Sequence, residues 1–148
     1  MSKDYRDFTI EEANALVPWL DYQFGMMFKH MRELESVLAE LMSHGVDPSP
    51  QMASIRRTDP RPVKNSKRKL RRLVALIFDH YTRIQEEGAV IQDVSQGTVS
   101  FYTYFGEHPA FLTWQIGEAE VRWWHEVYED ADSRKPLPRN AAASVIVN

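Results

Sequence analysis

From Phe8 onward the apolar positions recur at steps of three and four. Leu16, Leu20, Phe24, Met27, Met31, Leu34, Leu38 and Leu41 form a single seam, which predicts a helix over 9–43. Thr9 and Glu12 open it as a capping box: the hydroxyl accepts from the N–H three residues on, and the carboxylate reaches back. Phe8 and Ala13 stand where a hydrophobic staple would be. Pro18 removes one hydrogen bond and predicts a kink, and Gly45 is a natural stop. Residues 46–63 hold Pro48, Pro50, Pro60 and Pro62 and few apolar side chains, which predicts a basic, proline-rich loop that is partly mobile. Leu70, Leu73, Val74, Ile77, Phe78, Tyr81 and Ile84 then predict a second helix over 65–87. At about 1.5 Å per residue the first helix would be about 50 Å long and the second about 35 Å. An antiparallel hairpin of the two leaves surplus apolar seam, which argues for coiled-coil-like self-association as a homodimer.

After Gly88 the period changes. Val90, Ile91, the stretch 98–104 and the stretch 110–115 are rich in β-branched and aromatic side chains, with a turn at 106–109. A β unit over 89–116, of two or three short antiparallel strands, fits them. Residues 118–128 predict a short third helix with Glu118 at its positive end. Pro136 and Pro138 stop regular structure, leaving 138–148 as a flexible tail. The expected fold is therefore α+β, mainly α: one domain over 1–137, built on a long antiparallel helical hairpin with a small antiparallel sheet and a short third helix.

Composition narrows the class. A chain of 148 residues is one ordinary domain, large enough to bury a core without staples. It has no cysteine, which removes disulfides, thiolate nucleophiles and cysteine metal sites and makes the cytoplasm the expected compartment. The first eight residues hold no apolar run, so no signal peptide is expected. The longest apolar run, 73–78, is far short of a membrane span. Charge is unevenly spread beneath a net of −3. Arg56, Arg57, Arg61, Lys64, Lys67, Arg68, Lys69, Arg71 and Arg72 face one acid in their stretch, Asp59.

Four constellations have chemistry to offer. On the expected third helix, Glu118, Arg122, His125 and Glu129 share one face. A histidine between carboxylates at the edge of an aromatic cluster acts as a base or holds a metal, which makes Glu118, Arg122 and His125 catalytic candidates and Glu118 and His125 metal candidates. The alternative is an ion-paired surface stripe. In the hairpin, His80 falls about one turn from His30, with Glu33 three residues on, a second metal candidate; the alternative is a pair of satisfied histidines beside the seam. The basic stretch, with Arg68, Lys69, Arg71 and Arg72 at its dense end, suits nucleic acid or another polyanion, or else solubilises the helix start. No aromatic interleaves with it, so stacking of single-stranded bases is not expected. Finally, Trp123 is an aromatic anchor for a partner or packs on the helices. Val145, Ile146 and Val147 form an apolar docking peptide or a frayed end.

Several phrases recur in a known pattern. They are Phe8-Thr9-Ile10-Glu11-Glu12-Ala13-Asn14-Ala15-Leu16-Val17-Pro18-Trp19-Leu20, Gly97-Thr98-Val99-Ser100-Phe101, Leu112-Thr113-Trp114-Gln115-Ile116-Gly117-Glu118, Trp124-His125-Glu126 and Arg134-Lys135-Pro136-Leu137. Over roughly residues 8–137 the chain resembles a bacterial family known only as domain-of-unknown-function family 2203. Members usually have Asp where Ser100 stands and often Cys where Thr113 stands, so any ligand or base at position 100 is absent from this chain. The basic proline-rich insert and the tail also depart from the family pattern. The resemblance implies no activity.

The chain has no Gly-x-x-x-x-Gly-Lys, Gly-x-Gly-x-x-Gly, Gly-x-Ser-x-Gly or His-Glu-x-x-His motif. This disfavours nucleotide hydrolysis, dinucleotide redox, hydrolase-type acyl transfer and zinc proteolysis. No cofactor is required by the sequence. The function expected first is that of a non-enzymatic interaction or scaffold protein, acting through a hairpin oligomer and a docking tail. The alternatives are a small metal-binding protein or enzyme at Glu118, Arg122 and His125, and an anion or nucleic-acid binder through 56–72.

Overall fold

The structure, a computed structural model, describes residues 6–138. It contains two long helices and a five-stranded sheet, and is α+β. The chain forms two compact units. One, the sheet unit, joins the residues up to Phe24 with those from Thr82 onward; the other, the helical unit, is Gly25–Tyr81.

Helix α1, Ile10–Ser43, starts where the capping box places it. The Glu12 N–H donates to Thr9 Oγ1 (3.1 Å), and the Thr9 N–H donates to Glu12 Oε1 (2.9 Å). Helix α2, Arg61–Glu86, begins four residues before the expected start. Pro62 sits in its first turn, where a missing N–H costs nothing because no intrahelical acceptor exists there. The shift moves Arg61 out of the expected loop and brings it and Lys64 onto the helix.

In the sheet unit, β1 (Val90–Asp93), β2 (Thr98–Phe105), β3 (His108–Gln115), β4 (Trp123–Glu126) and β5 (Lys135–Pro136) lie in sequence order, each antiparallel to the next. Strands β2 and β3 pair along their whole length around a two-residue turn, Gly106-Glu107. Gly106 has φ +65°, the conformation a type II′ hairpin turn asks of its first residue. One sheet face presents Val99, Phe101, Leu112 and Trp114, all fully buried with Phe8, Leu20 and Phe24. Phe8 meets Phe101 edge to face at 4.9 Å, and Phe24 lies 6.3 Å from Trp114. Each such side chain contributes about 1.5–3 kcal/mol on burial. The Phe8 N–H donates to the Tyr102 carbonyl (2.8 Å), and the Thr103 hydroxyl donates to the Phe8 carbonyl (2.7 Å), which pins the entry of α1 to β2.

The expected helix over 118–128 is replaced. Residues 117–122 turn, and Trp123–Glu126 becomes β4. Two features outweigh the helical spacing of the apolar residues. Gly117 turns the chain at φ +100°, and β3 offers an open row of backbone groups that β-prone Trp123 and Trp124 can pair with.

In the helical unit, Val37 and Leu41 of α1 close on Val63, Leu70 and Leu73 of α2, with Met52 from the intervening segment in the same cluster. That segment is tied down. Lys67, 4% exposed, donates to the Ser54 carbonyl (2.7 Å) and to Asp59 Oδ2 (2.9 Å), and the Arg56 N–H donates to the same carboxylate oxygen (2.7 Å). Among the described residues, no helix is long and apolar enough to cross a membrane.

Candidate functional site

The register of β2, β3 and β4 sets Ser100 opposite Thr113 and Phe111 opposite His125, on the sheet face turned away from Phe101 and Trp114. Ser100, Thr113 and His125 there are 0%, 0% and 1% exposed. His125 Nδ1 lies 2.8 Å from the Glu126 carbonyl, which only accepts, so Nδ1 holds the ring proton. Nε2 is then free to accept from the Ser100 hydroxyl at 3.3 Å, and Thr113 Oγ1 stands 3.4 Å beyond. This is the order of a nucleophile, a base and an orienting acceptor. Its burial gives it a different use. No substrate atom reaches a hydroxyl with no exposed surface, and each polar group is satisfied by its neighbour. Phe111 covers the imidazole, ring centroids 5.3 Å apart. Positions 100 and 113 are thus one place, and His125 is its third member.

The other residues expected beside His125 are elsewhere. The Glu118 carboxylate is held by Arg134 through two hydrogen bonds (2.6 and 3.3 Å) and by the Gln115 N–H (2.9 Å), while the Glu118 carbonyl accepts from the Trp114 indole (2.9 Å). The Arg134 guanidinium also covers the ring of half-buried Trp123 at 4.7 Å. Arg122 is 72% exposed and pairs with Glu120 at 2.9 Å. Glu129 accepts from the Glu126 N–H and from Lys135, both at 3.0 Å. That backbone N–H first, then the Lys135 ammonium, hold its carboxyl below the ordinary value of 4.5. Glu118, Arg122, His125 and Glu129 therefore do not share a face. The sequence singled out neither Arg134 nor Lys135 for a role, since they stand side by side just before Pro136, where regular structure was expected to stop. Arg122 and Trp123 do line an open cleft of about 650 Å³ with Ile10, Asn14 and Leu137.

His30, Glu33 and His80 are brought near one another in the helical unit. The two imidazoles stack, centroids 5.7 Å apart, and both histidines are 8% exposed. His30 Nδ1 lies 3.5 Å from the Glu33 carboxylate and makes no hydrogen bond with it. Stacked rings do not aim their nitrogens at a shared point. Among the described residues, no three His, Asp or Glu side chains are grouped to hold a metal ion.

The basic stretch gains order and loses one member. Lys67 turns inward to Asp59 and Ser54, away from solvent. Arg61, Arg68, Lys69, Arg71 and Arg72 are exposed and Lys64 half-buried. None of these six forms a salt bridge with a described residue; Arg68 donates to the Asn65 side chain (3.2 Å). Spaced along α2, Arg61, Lys64, Arg68 and Arg72 occupy the side opposite Val63, Leu70 and Leu73. Val74 and Phe78, 50% and 68% exposed, lie on the flank of the same helix. The apolar peptide at Val145, Ile146 and Val147 falls outside the described residues.

The family described as "Uncharacterized conserved protein (DUF2203)" matches residues 6–137. No curated protein and no solved structure matches the chain.

Proposed function

We propose, for a chain that belongs to the DUF2203 family of uncharacterized conserved proteins, that it is a non-enzymatic interaction protein whose contact surface is the exposed side of α2, and that its partner is a polyanion. One observation supports this above the rest: six bases on or beside one helix side, unpaired among the described residues, in a chain whose net charge is −3. Such a chain is not drawn to anions as a whole, so binding at neutral pH requires a local surface. The inward-facing, mutually satisfied Ser100, Thr113 and His125 weigh against the enzymatic alternative. The test is retention of the full chain on immobilised heparin at about 0.1 M salt, where surface charges are screened beyond about 10 Å. Retention that is lost on Arg68→Gln with Arg72→Gln supports the reading, and flow-through of the unaltered chain overturns it.

A second reading, self-association, is favoured by Val74 and Phe78. They stand one turn apart and exposed, on the flank of a helix whose apolar side already fills its core. A second copy presenting the same strip would cover both in a two-fold contact.

A further inference from the structure

We infer that the basic side of α2 seats the phosphodiester backbone of a double-stranded nucleic acid, without reading its sequence. This rests on the polyanion reading above and gives the partner a chemistry. Arg61, Lys64, Arg68 and Arg72 follow one another at steps of three, four and four, with Arg71 and Lys69 on either flank. At about 1.5 Å per residue the row is about 16 Å long. A duplex carries a phosphate per about 1.7 Å of axis over its two strands, so a row of this length has several phosphates within reach of its four cations. Asp79 lies on the same helix side nearly two turns beyond Arg72.

Four of the six bases are arginine, whose planar fork matches two phosphate oxygens at once. The row contains no aromatic side chain, which leaves single-stranded bases nothing to stack on. It contains no apolar side chain to enter a lipid surface, since Val74 and Phe78 lie to its side. Nor has it the apolar centre around which protein interfaces are built. Asn65 is the amide within the row, and its Oδ1 is taken by Arg68, so no base-reading pair is free there.

An independent observation is the placement of this charge. The first turn of α2 contains no acid, and Arg61 and Lys64 crowd the positive end of the helix dipole. Cations there work against the fold. A bound phosphate row reverses that repulsion, and so does removal of the cations. Arg61 and Lys64 therefore work against the helix in the free protein, and a bound anion would turn that opposition into an attraction.

The experiment titrates the full chain against labelled duplex DNA and duplex RNA of arbitrary sequence, each about 20 base pairs, by fluorescence anisotropy. With four phosphate contacts, affinity should fall about a hundredfold between about 50 and 200 mM salt and be indifferent to sequence. The DNA and RNA arms identify which duplex is the source, and binding of either supports the inference. The variant Arg61→Gln, Lys64→Gln, Arg68→Gln and Arg72→Gln should bind at least about tenfold more weakly. Its Tm should be equal or higher, which separates loss of the surface from loss of the fold. Absence of duplex binding at the lowest salt, unchanged affinity in the variant, or equal binding of a single strand overturns the inference. So does capture by anionic vesicles without duplex binding. If heparin binds and neither duplex does, this inference fails and the polyanion reading stands; if none of them binds, both fail.

Discussion

At the scale of single residues, the structure turns a set of catalytic-looking side chains into packing chemistry. His125 is held on both ring nitrogens, so its value lies in what its loss leaves behind. His125→Ala leaves the buried Ser100 hydroxyl only the longer contact to Thr113 Oγ1, at 3.4 Å, and a buried polar group short of its partner costs about 1–3 kcal/mol, with a cavity term added. Denaturant unfolding should show a loss of at least about 2 kcal/mol. A loss below about 0.5 kcal/mol would mean that the hydrogen bonds to Ser100 and Glu126 contribute little. Gly88 makes a second residue-scale case. Its φ is +96°, and a Cβ there would sit 2.8 Å from the Arg6 Cβ. That displaces an arginine stacked over Phe8 at 4.3 Å and placed within 4.0 Å of both Glu12 and Glu87. Gly88→Ala should cost about 2 kcal/mol, combining the left-handed backbone with the clash, and calorimetry measures it. The sequence announced both residues, the histidine by its acidic neighbours and the glycine by the change of period. It did not announce Ser100 as a partner of His125, because contacts across strands follow from register, and register was not legible once residues 118–128 looked helical.

Among elements, the loop between the helices shows best how one side chain organises many. Four prolines and little apolar content suggested mobility. The burial of Lys67 supplies the restraint, since its ammonium needs acceptors and finds them in Ser54 and Asp59. The Arg56 N–H first, then the Lys67 ammonium, hold the Asp59 carboxyl below its ordinary 3.8. A carboxyl lowered in the folded state stabilises that state fully above 3.8, and the contribution fades as pH falls through the lowered value. Asp59→Asn should therefore reduce Tm at neutral pH, with the deficit closing in acid below pH 3.8; thermal scans from neutral pH into acid read it directly. Lys67→Met should leave the core cluster filled yet free the loop, and trypsin should then cut after Arg56 or Arg57 about tenfold faster. Helix α1, the capping box and strands β2 and β3 were legible because local chemistry decides them. Strand β4 was not, because its four residues take their form from the open edge of β3 rather than from their own spacing.

For the whole molecule, charge divides as the units do. The helical unit has eleven bases and six acids, and the residues of the sheet unit have seven bases and fifteen acids. The net charge of −3 thus conceals a helical unit rich in bases and a sheet unit rich in acids. Self-association belongs at this scale too. Light scattering should find a dimer that Val74→Ser with Phe78→Ser converts to monomer with little change in Tm, since both side chains are already exposed. A monomer at high concentration in the unaltered chain would remove the strip as an interface. The α+β class was legible from the change of period at Gly88; the division into two units was not, because a single helical seam runs without a break from 10 to 43. That division has a consequence for synthesis. All of the helical unit lies in one stretch, 25–81, and leaves the ribosome before any strand exists. The sheet unit is split, one piece made before the helical unit and its strands after it. Until β2 and β3 emerge, Phe8, Leu20 and Phe24 have no strand partner, and the Asn14 side chain, which finally takes the Val121 N–H at 2.6 Å, waits for a residue made 107 positions later. The two pieces of one unit thus flank the other along the chain, and until β2 and β3 are made the apolar segment holding Phe8, Leu20 and Phe24 waits for partners encoded far downstream.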